Sequence, residues 1–165
     1  MTAIVCDVCP RACRLEEGKT AGFCRVRANI NGENRDRLYR KIYIRPETDG
    51  YGSCIVLTPG CNLGCPFCGA PYVSRPTAQT PLMEVSEAEL VNRAIEIRCK
   101  VLWFESAECS LHWEWVSEVA RLCRENGILT ALPLHPPPTY GRMRADREGV
   151  LCTLREIPVL SAAKP

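Results

Sequence analysis

The chain has 165 residues, a formal net charge of +2 at pH 7 and twelve cysteines. That length suits one domain with a sizeable core. The near-balanced charge gives no electrostatic case for nucleic acid or an anionic membrane as a partner. The first residues lack the charged start and long apolar run of a signal peptide, and no stretch approaches the length of a membrane-spanning helix. A cytoplasmic setting is expected, in which thiols stay reduced and clustered cysteines point to metal rather than disulfides.

Four cysteines open the chain: Cys6, Cys9, Cys13 and Cys24, in CDVCPRACRLEEGKTAGFC. Pro10, Gly18 and Gly22 supply turns between them. Four thiolates so close in sequence resemble a closed four-ligand site, which would order a segment with little core of its own. Tetrahedral zinc and a second iron–sulfur cluster both suit it. The stretch 25–45 is mildly basic but broken by Glu33 and Asp36, and it reads as solvated surface.

An apolar strand, Cys54-Ile55-Val56-Leu57-Thr58, feeds directly into the loop GCNLGCPFCG. Its cysteines, Cys61, Cys65 and Cys68, have C-x3-C-x2-C spacing, with Phe67 before the last. Three thiolates this close can hold three corners of a cubane iron–sulfur cluster. Such clusters normally take four cysteines, so one iron is left open to a non-protein ligand. A zinc knuckle fits less well, because zinc favours paired C-x2-C units and four ligands.

Ser86 and Glu89 make a capping box, followed by Leu90, Val91, Ala94, Ile95 and Ile97 at helical spacing. Val101-Leu102-Trp103-Phe104 reads as a buried strand. A second amphipathic helix spans 111–125, its stripe formed by Trp115, Val116, Val119, Ala120 and Cys123 and its end marked by Asn126-Gly127. A third strand covers 128–132. Strand, helix, strand, helix, strand predicts an α/β fold with parallel strands and right-handed crossovers, a partial (β/α) barrel behind a cysteine-rich metal-binding N-terminal segment. Sites on such sheets lie at the C-terminal ends of the strands, so the cluster loop and the segment 105–110 should share one rim.

Cys54, Cys99 and Cys123 read as small buried hydrophobes, whereas Cys109 would face the rim. His112 and His135 have no evident base or metal partner in sequence. Trp113 and Trp115 lie on a helix, where at least one should pack into the core. From Pro136-Pro137-Pro138 onward no sustained period remains, with at best a short strand at 150–154. The expected organisation is a prefix at 1–37, a partial α/β domain at 38–135 and an irregular tail at 136–165.

The cluster loop resembles that of the radical S-adenosylmethionine superfamily. The run C-x2-C-P-R-x-C, followed by E-G-x-x-x-G-x-C-x-V-R, resembles the prefix of a subgroup whose members look like the activating enzyme of pyruvate formate-lyase. Together the two motifs cover about residues 6 to 127. The resemblance implies a [4Fe-4S] cluster on Cys61, Cys65 and Cys68, with S-adenosylmethionine chelating the fourth iron and Phe67 against its adenine. It implies that Glu108 accepts the cofactor's amino group, with Ser106 and Ala107 as backbone that a ligand approaches closely and Glu105 as the fallback carboxylate. Relatives carry glycines where Ser106 and Ala107 stand, and proline in place of Cys109.

The implied activity is reductive cleavage of S-adenosylmethionine to a 5′-deoxyadenosyl radical that abstracts hydrogen, an oxidoreductase chemistry served by a low-potential electron donor. A glycyl-radical-type enzyme is the implied protein substrate. A full eight-unit barrel needs about 250 residues, so the chain resembles the front half of a longer relative and a truncated product is expected. An open sheet of this kind would expose a pairing edge at its third strand, inviting a partner chain. Two other readings stay open: an inactive cluster-bearing fragment or scaffold, and a zinc-binding interaction module.

Overall fold

The computed structural model describes residues 3–19, 21–48, 52–105 and 108–132. The expected tail at 136–165, its strand at 150–154, His135, Ser106 and Ala107 lie outside these residues.

The prefix folds into two antiparallel ribbons. Strands β1 (Ala3–Val5) and β2 (Arg14–Glu16) flank the first three cysteines. Strands β3 (Arg27–Ile30) and β4 (Glu33–Asp36) are joined by Asn31-Gly32. Both turn residues have positive φ, 54° and 82°, the conformation that a two-residue hairpin turn demands and that Asn-Gly meets with least strain. These four short strands have no counterpart among the elements expected from sequence.

The main sheet contains β5 (Lys41–Thr48), β6 (Ser53–Leu57), β7 (Met83–Glu84), β8 (Val101–Glu105) and β9 (Leu129–Ala131). Their order is β7-β5-β6-β8-β9. Strands β6, β8 and β9 run parallel, with Ser53 opposite Val101 and Val101 opposite Leu129. That is the parallel unit expected from the alternating pattern. Strand β5, however, pairs antiparallel with both β6 and β7. Among the described residues the sheet is therefore open, as expected, but mixed, where parallel strands alone were expected. Pro46, which cannot donate to a ladder, falls where the β5–β6 register shifts between Arg45 and Thr48.

Among the described residues three α-helices accompany this sheet: α1 (Pro71–Ser74), α2 (Glu87–Glu96) and α3 (Trp113–Glu125). The capping box at α2 is formed as expected, the Ser86 side chain accepting from the Glu89 amide and Glu89 accepting from the Ser86 amide. Leu90, Val91 and Ala94 are buried, but Ile95 and Ile97 are 44% and 60% exposed. Ile95 is one helical step off the stripe, and Ile97 is the C-cap, already past the helix. Helix α3 buries all five expected stripe residues and begins at Trp113, because Cys109–His112 forms a tighter 3-10 turn before it.

The core lies between the sheet and helices α2 and α3, centred on Phe104, Trp115, Val119 and Cys123. Phe104 and Trp115 meet edge to face, with centroids 5.8 Å apart, a favourable aromatic geometry. Cys99 and Cys123 are buried here and Cys54 packs partly against them, as expected. Cys109 belongs to the same core rather than facing the rim. Burial, with help from the Glu108 charge, pushes its thiol up to about 12; burial likewise pushes Cys123 up to about 11. Among the described residues no helix is long and apolar enough to cross a membrane.

Candidate cofactor site

Strands β6 and β8 end side by side, Leu57 opposite Glu105. The segments that follow them consequently start on one rim. His112 Nε2 donates to the Pro59 carbonyl at 2.7 Å, and the Glu108 amide donates to Gly60 O at 3.4 Å. The Gly60 amide in turn donates to Val73 O at 2.8 Å, closing the loop onto α1. The cluster loop and the segment after β8 therefore meet, as the parallel topology predicts.

Between the loop and the strand ends lies a cavity of about 620 Å³, lined by Cys61, Cys65 and Cys68 together with Phe67, Arg75 and Glu105. Cys61 is buried, whereas Cys65 and Cys68 are exposed. Burial raises the Cys61 thiol, although the Leu63 amide, 3.4 Å from its sulfur, works the other way. Cys68 is lowered, first by the Ser74 hydroxyl 3.3 Å away and then by the Ala70 amide. Hydrogen bonds to the charged form are what favour thiolate. Phe67 is 85% exposed at this opening.

Glu108 is not a solvated loop residue. It is 2% exposed and accepts from the Ser110 hydroxyl at 2.7 Å and the Ser110 amide at 3.4 Å, capping the 3-10 turn. Its charge reaches Cys61, adding to the upward push on that thiol. Glu105 lines the cavity, and Glu108 does not.

In the prefix, Cys6 and Cys24 are buried and Cys9 and Cys13 half-buried, all as free thiols. The amides of Val26 and Arg27 both point at Cys24 Sγ from 3.4 Å, and the Asn34 side-chain amide reaches Cys6 Sγ at 3.5 Å. Burial raises the Cys24 thiol against those two amides. Among the described residues no three His, Cys, Asp or Glu side chains are gathered closely enough to hold a single metal ion.

Two ties at this rim have no signal in the sequence pattern. His112 Nδ1 lies 2.6 Å from Asp36 Oδ2 on β4, so a histidine without an evident partner in sequence bridges the prefix and the cluster loop. Arg27 is 2% exposed and forms a two-pronged pair with Glu114 at 2.9 and 2.7 Å. At that residue the expected solvated surface is instead a buried guanidinium paired with a half-exposed carboxylate. Partners so distant in sequence leave no periodicity to read.

A family profile described as the Radical SAM superfamily matches residues 55–156, more than half of the chain. The chain belongs to the radical SAM superfamily. The match continues past residue 136, so family sequence extends into the stretch expected as an irregular tail. A curated relative, the uncharacterized protein MJ0808 of Methanocaldococcus jannaschii, is 29% identical over 139 residues. That alignment takes in 77% of this chain and 41% of the relative, so the chain spans less than half of that protein's length. No solved structure matches.

Radical SAM membership implies a [4Fe-4S] cluster and S-adenosylmethionine. The rim chemistry suits that pair: three thiols front one cavity, an amide is aimed at Cys61 Sγ, and the Ser74 hydroxyl and Ala70 amide lower the Cys68 thiol. Metal coordination would itself overcome the raised affinity of Cys61 for its proton.

Proposed function

We propose that this chain is a radical SAM iron–sulfur protein whose cluster is held by Cys61, Cys65 and Cys68. The observation that supports it best is that those three cysteines line one cavity at the C-terminal rim of β6 and β8, although their thiols are not drawn together as a ligand set among the described residues. When bound, the cluster and S-adenosylmethionine supply reductive cleavage of the sulfonium C–S bond and a 5′-deoxyadenosyl radical for hydrogen abstraction. The chain's own residues ligate, orient and exclude water.

Phe67, at the cavity mouth, would stack on the adenine. Glu108, with the backbone of Ser106 and Ala107, would receive the cofactor's ammonium, a charge-assisted hydrogen bond; Glu105 on the cavity wall is the alternative acceptor. Glu108→Gln should weaken S-adenosylmethionine binding without loss of iron. If Glu105→Gln does so instead, the role moves to the wall. The four prefix cysteines would hold zinc or a second iron–sulfur cluster, a reading supported by the amides aimed at Cys24 Sγ. The motif C-x2-C-P-R-x-C favours a glycyl-radical-type enzyme as target and a low-potential donor as electron source.

A second reading, a cluster-bearing fragment or scaffold without turnover, is favoured by the altered glutamate motif, whose Glu108 is bonded to Ser110 and does not line the cavity. Formation of 5′-deoxyadenosine by anaerobically reconstituted protein with a strong reductant separates the two. Product above a Cys65→Ala control supports the enzyme. Full iron and sulfide without product supports the fragment.

A further inference from the structure

The carbonyls of Cys61, Asn62 and Leu63, three in a row, are each taken by a guanidinium. Arg75 Nη1 donates to Cys61 O at 2.7 Å and its Nη2 to Leu63 O at 2.6 Å. Arg11 Nε donates to Asn62 O at 2.6 Å. Both guanidiniums also lie over one aromatic ring, Phe23, their central carbons 3.7 Å (Arg11) and 4.4 Å (Arg75) from its centroid. The tip of that ring sits 3.7 Å from where a Cβ on Gly64 would stand, in the middle of the cysteine loop. Arg25 adds bonds to the carbonyls of Arg75 and Pro76 at 3.3 and 3.2 Å. Arg11, Phe23 and Arg25 all come from the prefix, beside Cys9, Cys13 and Cys24.

A carbonyl bonded to a fixed donor cannot rotate, and holding consecutive carbonyls fixes the peptide planes between them. Their amides are then free to face the thiol side, as the Leu63 amide does toward Cys61 Sγ. A guanidinium serves this better than an ammonium because its planar fork spans two acceptors while its face stays available to an aromatic ring. Two fixed positive charges also stand against the backbone of the cysteine loop, Arg75 on the carbonyl of Cys61 and Arg11 on that of Asn62. An added electron makes a cluster more negative, so such charges favour its reduced form.

Building on the cluster ligation proposed above, we propose that Arg11, Phe23 and Arg75 form a clamp by which the prefix positions the cluster loop and raises the reduction potential of its cluster. These are positioning residues. The first arm of the test uses the protein as purified, with the metal it carries, comparing amide hydrogen exchange in the parent, Arg11→Met, Arg75→Lys and Phe23→Leu. Residues 61–64 should exchange at least tenfold faster in each variant, with helix α3 unchanged. Unchanged exchange at 61–64 overturns the clamp. Equal acceleration in α3 also overturns it, since the residues would then support the whole fold rather than the loop. Phe23→Leu keeps an apolar side chain and serves should an arginine variant fail to fold.

The second arm measures the midpoint potential of the reconstituted cluster. Arg75→Met should shift the reduced-to-oxidised ratio at fixed potential tenfold toward oxidised, about 59 mV for one electron, and Arg75→Lys should retain most of the parent value. An identical potential in parent and Arg75→Met overturns the electrostatic half. Failure of the parent itself to load iron and sulfide refutes the cluster assignment, and the exchange arm still decides the clamp.

Discussion

In the sheet half, Phe104, Trp115, Val119 and Cys123 close one continuous apolar core drawn from two helices and three strands. In the prefix, Cys24 and Val26 cluster only with Leu111, partly covered by Val8 and Leu38, and Leu111 belongs to the 3-10 turn at the rim. Among the described residues the prefix thus shares a small apolar cluster with the rim, in place of a large one like that of the sheet half. What seats it is directional: the Arg27–Glu114 pair, the Asp36–His112–Pro59 bridge and the arginines on the cysteine loop. Apolar burial tolerates small adjustments in position, whereas these bonds need particular atoms at particular places. A cysteine-rich segment held this way reports directly on the geometry of the loop it touches.

The largest effect should come from the core. Trp115→Ala removes a fully buried ring and should cost about 3–5 kcal/mol, read as a fall in the urea midpoint. A loss under about 1 kcal/mol would place the centre of the core elsewhere.

Gly60→Ala tests the junction instead. Gly60 has a φ of 84°, and a Cβ there would stand 2.2 Å from Val26 Cγ2 and 2.6 Å from Cys24 O. The left-handed backbone and the overlap together should cost about 3 kcal/mol. Pairing it with Val26→Ala should recover only part of that, because the Cys24 carbonyl remains in the way. Full recovery in a double-mutant cycle would show that the prefix backbone yields freely.

A smaller effect, about 1–3 kcal/mol, is expected for Glu114→Gln, which strips the charge from the partner of a buried arginine. Burial, the largest single influence, would raise the Glu114 carboxyl, but the Arg27 hydrogen bond, a backbone amide and the neighbouring Arg27 and His112 charges together outweigh it, and the group is held below its ordinary value. A carboxyl whose pKa is lower folded than unfolded stabilises the fold above its unfolded value. That contribution is lost as pH falls through the depressed folded value. Prefix release, followed by limited proteolysis, should thus begin below the ordinary carboxylate range in the parent. Glu114→Gln should remove this component of the acid dependence; an unchanged pH profile would assign the docking to other groups. Ser86→Ala, which removes only the α2 cap, should cost about 1 kcal/mol and leave prefix release unaltered. Accelerated release in that variant would mean the two regions are not separable.

Strands β6, β8 and β9 and helices α2 and α3 were legible in sequence because each buries a local stripe: Trp115, Val116 and Val119 repeat at the helical period wherever they pack. Strand β5 carries a readable alternation of Ile42 and Ile44, interrupted by Pro46, and Asn31-Gly32 is a hairpin signal between strands too polar to attract notice. The cysteine loop was legible as spacing. Its surroundings were not, because Arg75 over Phe23, or His112 against Asp36, joins residues that only the folded chain makes neighbours. Arg27 shows the same limit from the other side. A basic residue in a charged stretch gives no sign that it will be buried against α3.

Cys109 and Cys123, held as protonated thiols inside the core, are poor targets for oxidants, whereas Cys65 and Cys68 lie at the exposed rim. Oxygen damage should therefore begin at the rim, as sulfenate or disulfide that an external thiol can reach and reverse. The scaffold beneath would keep its shape through such an episode, so the oxidised rim could be reduced and rebuilt on a template that had never come apart.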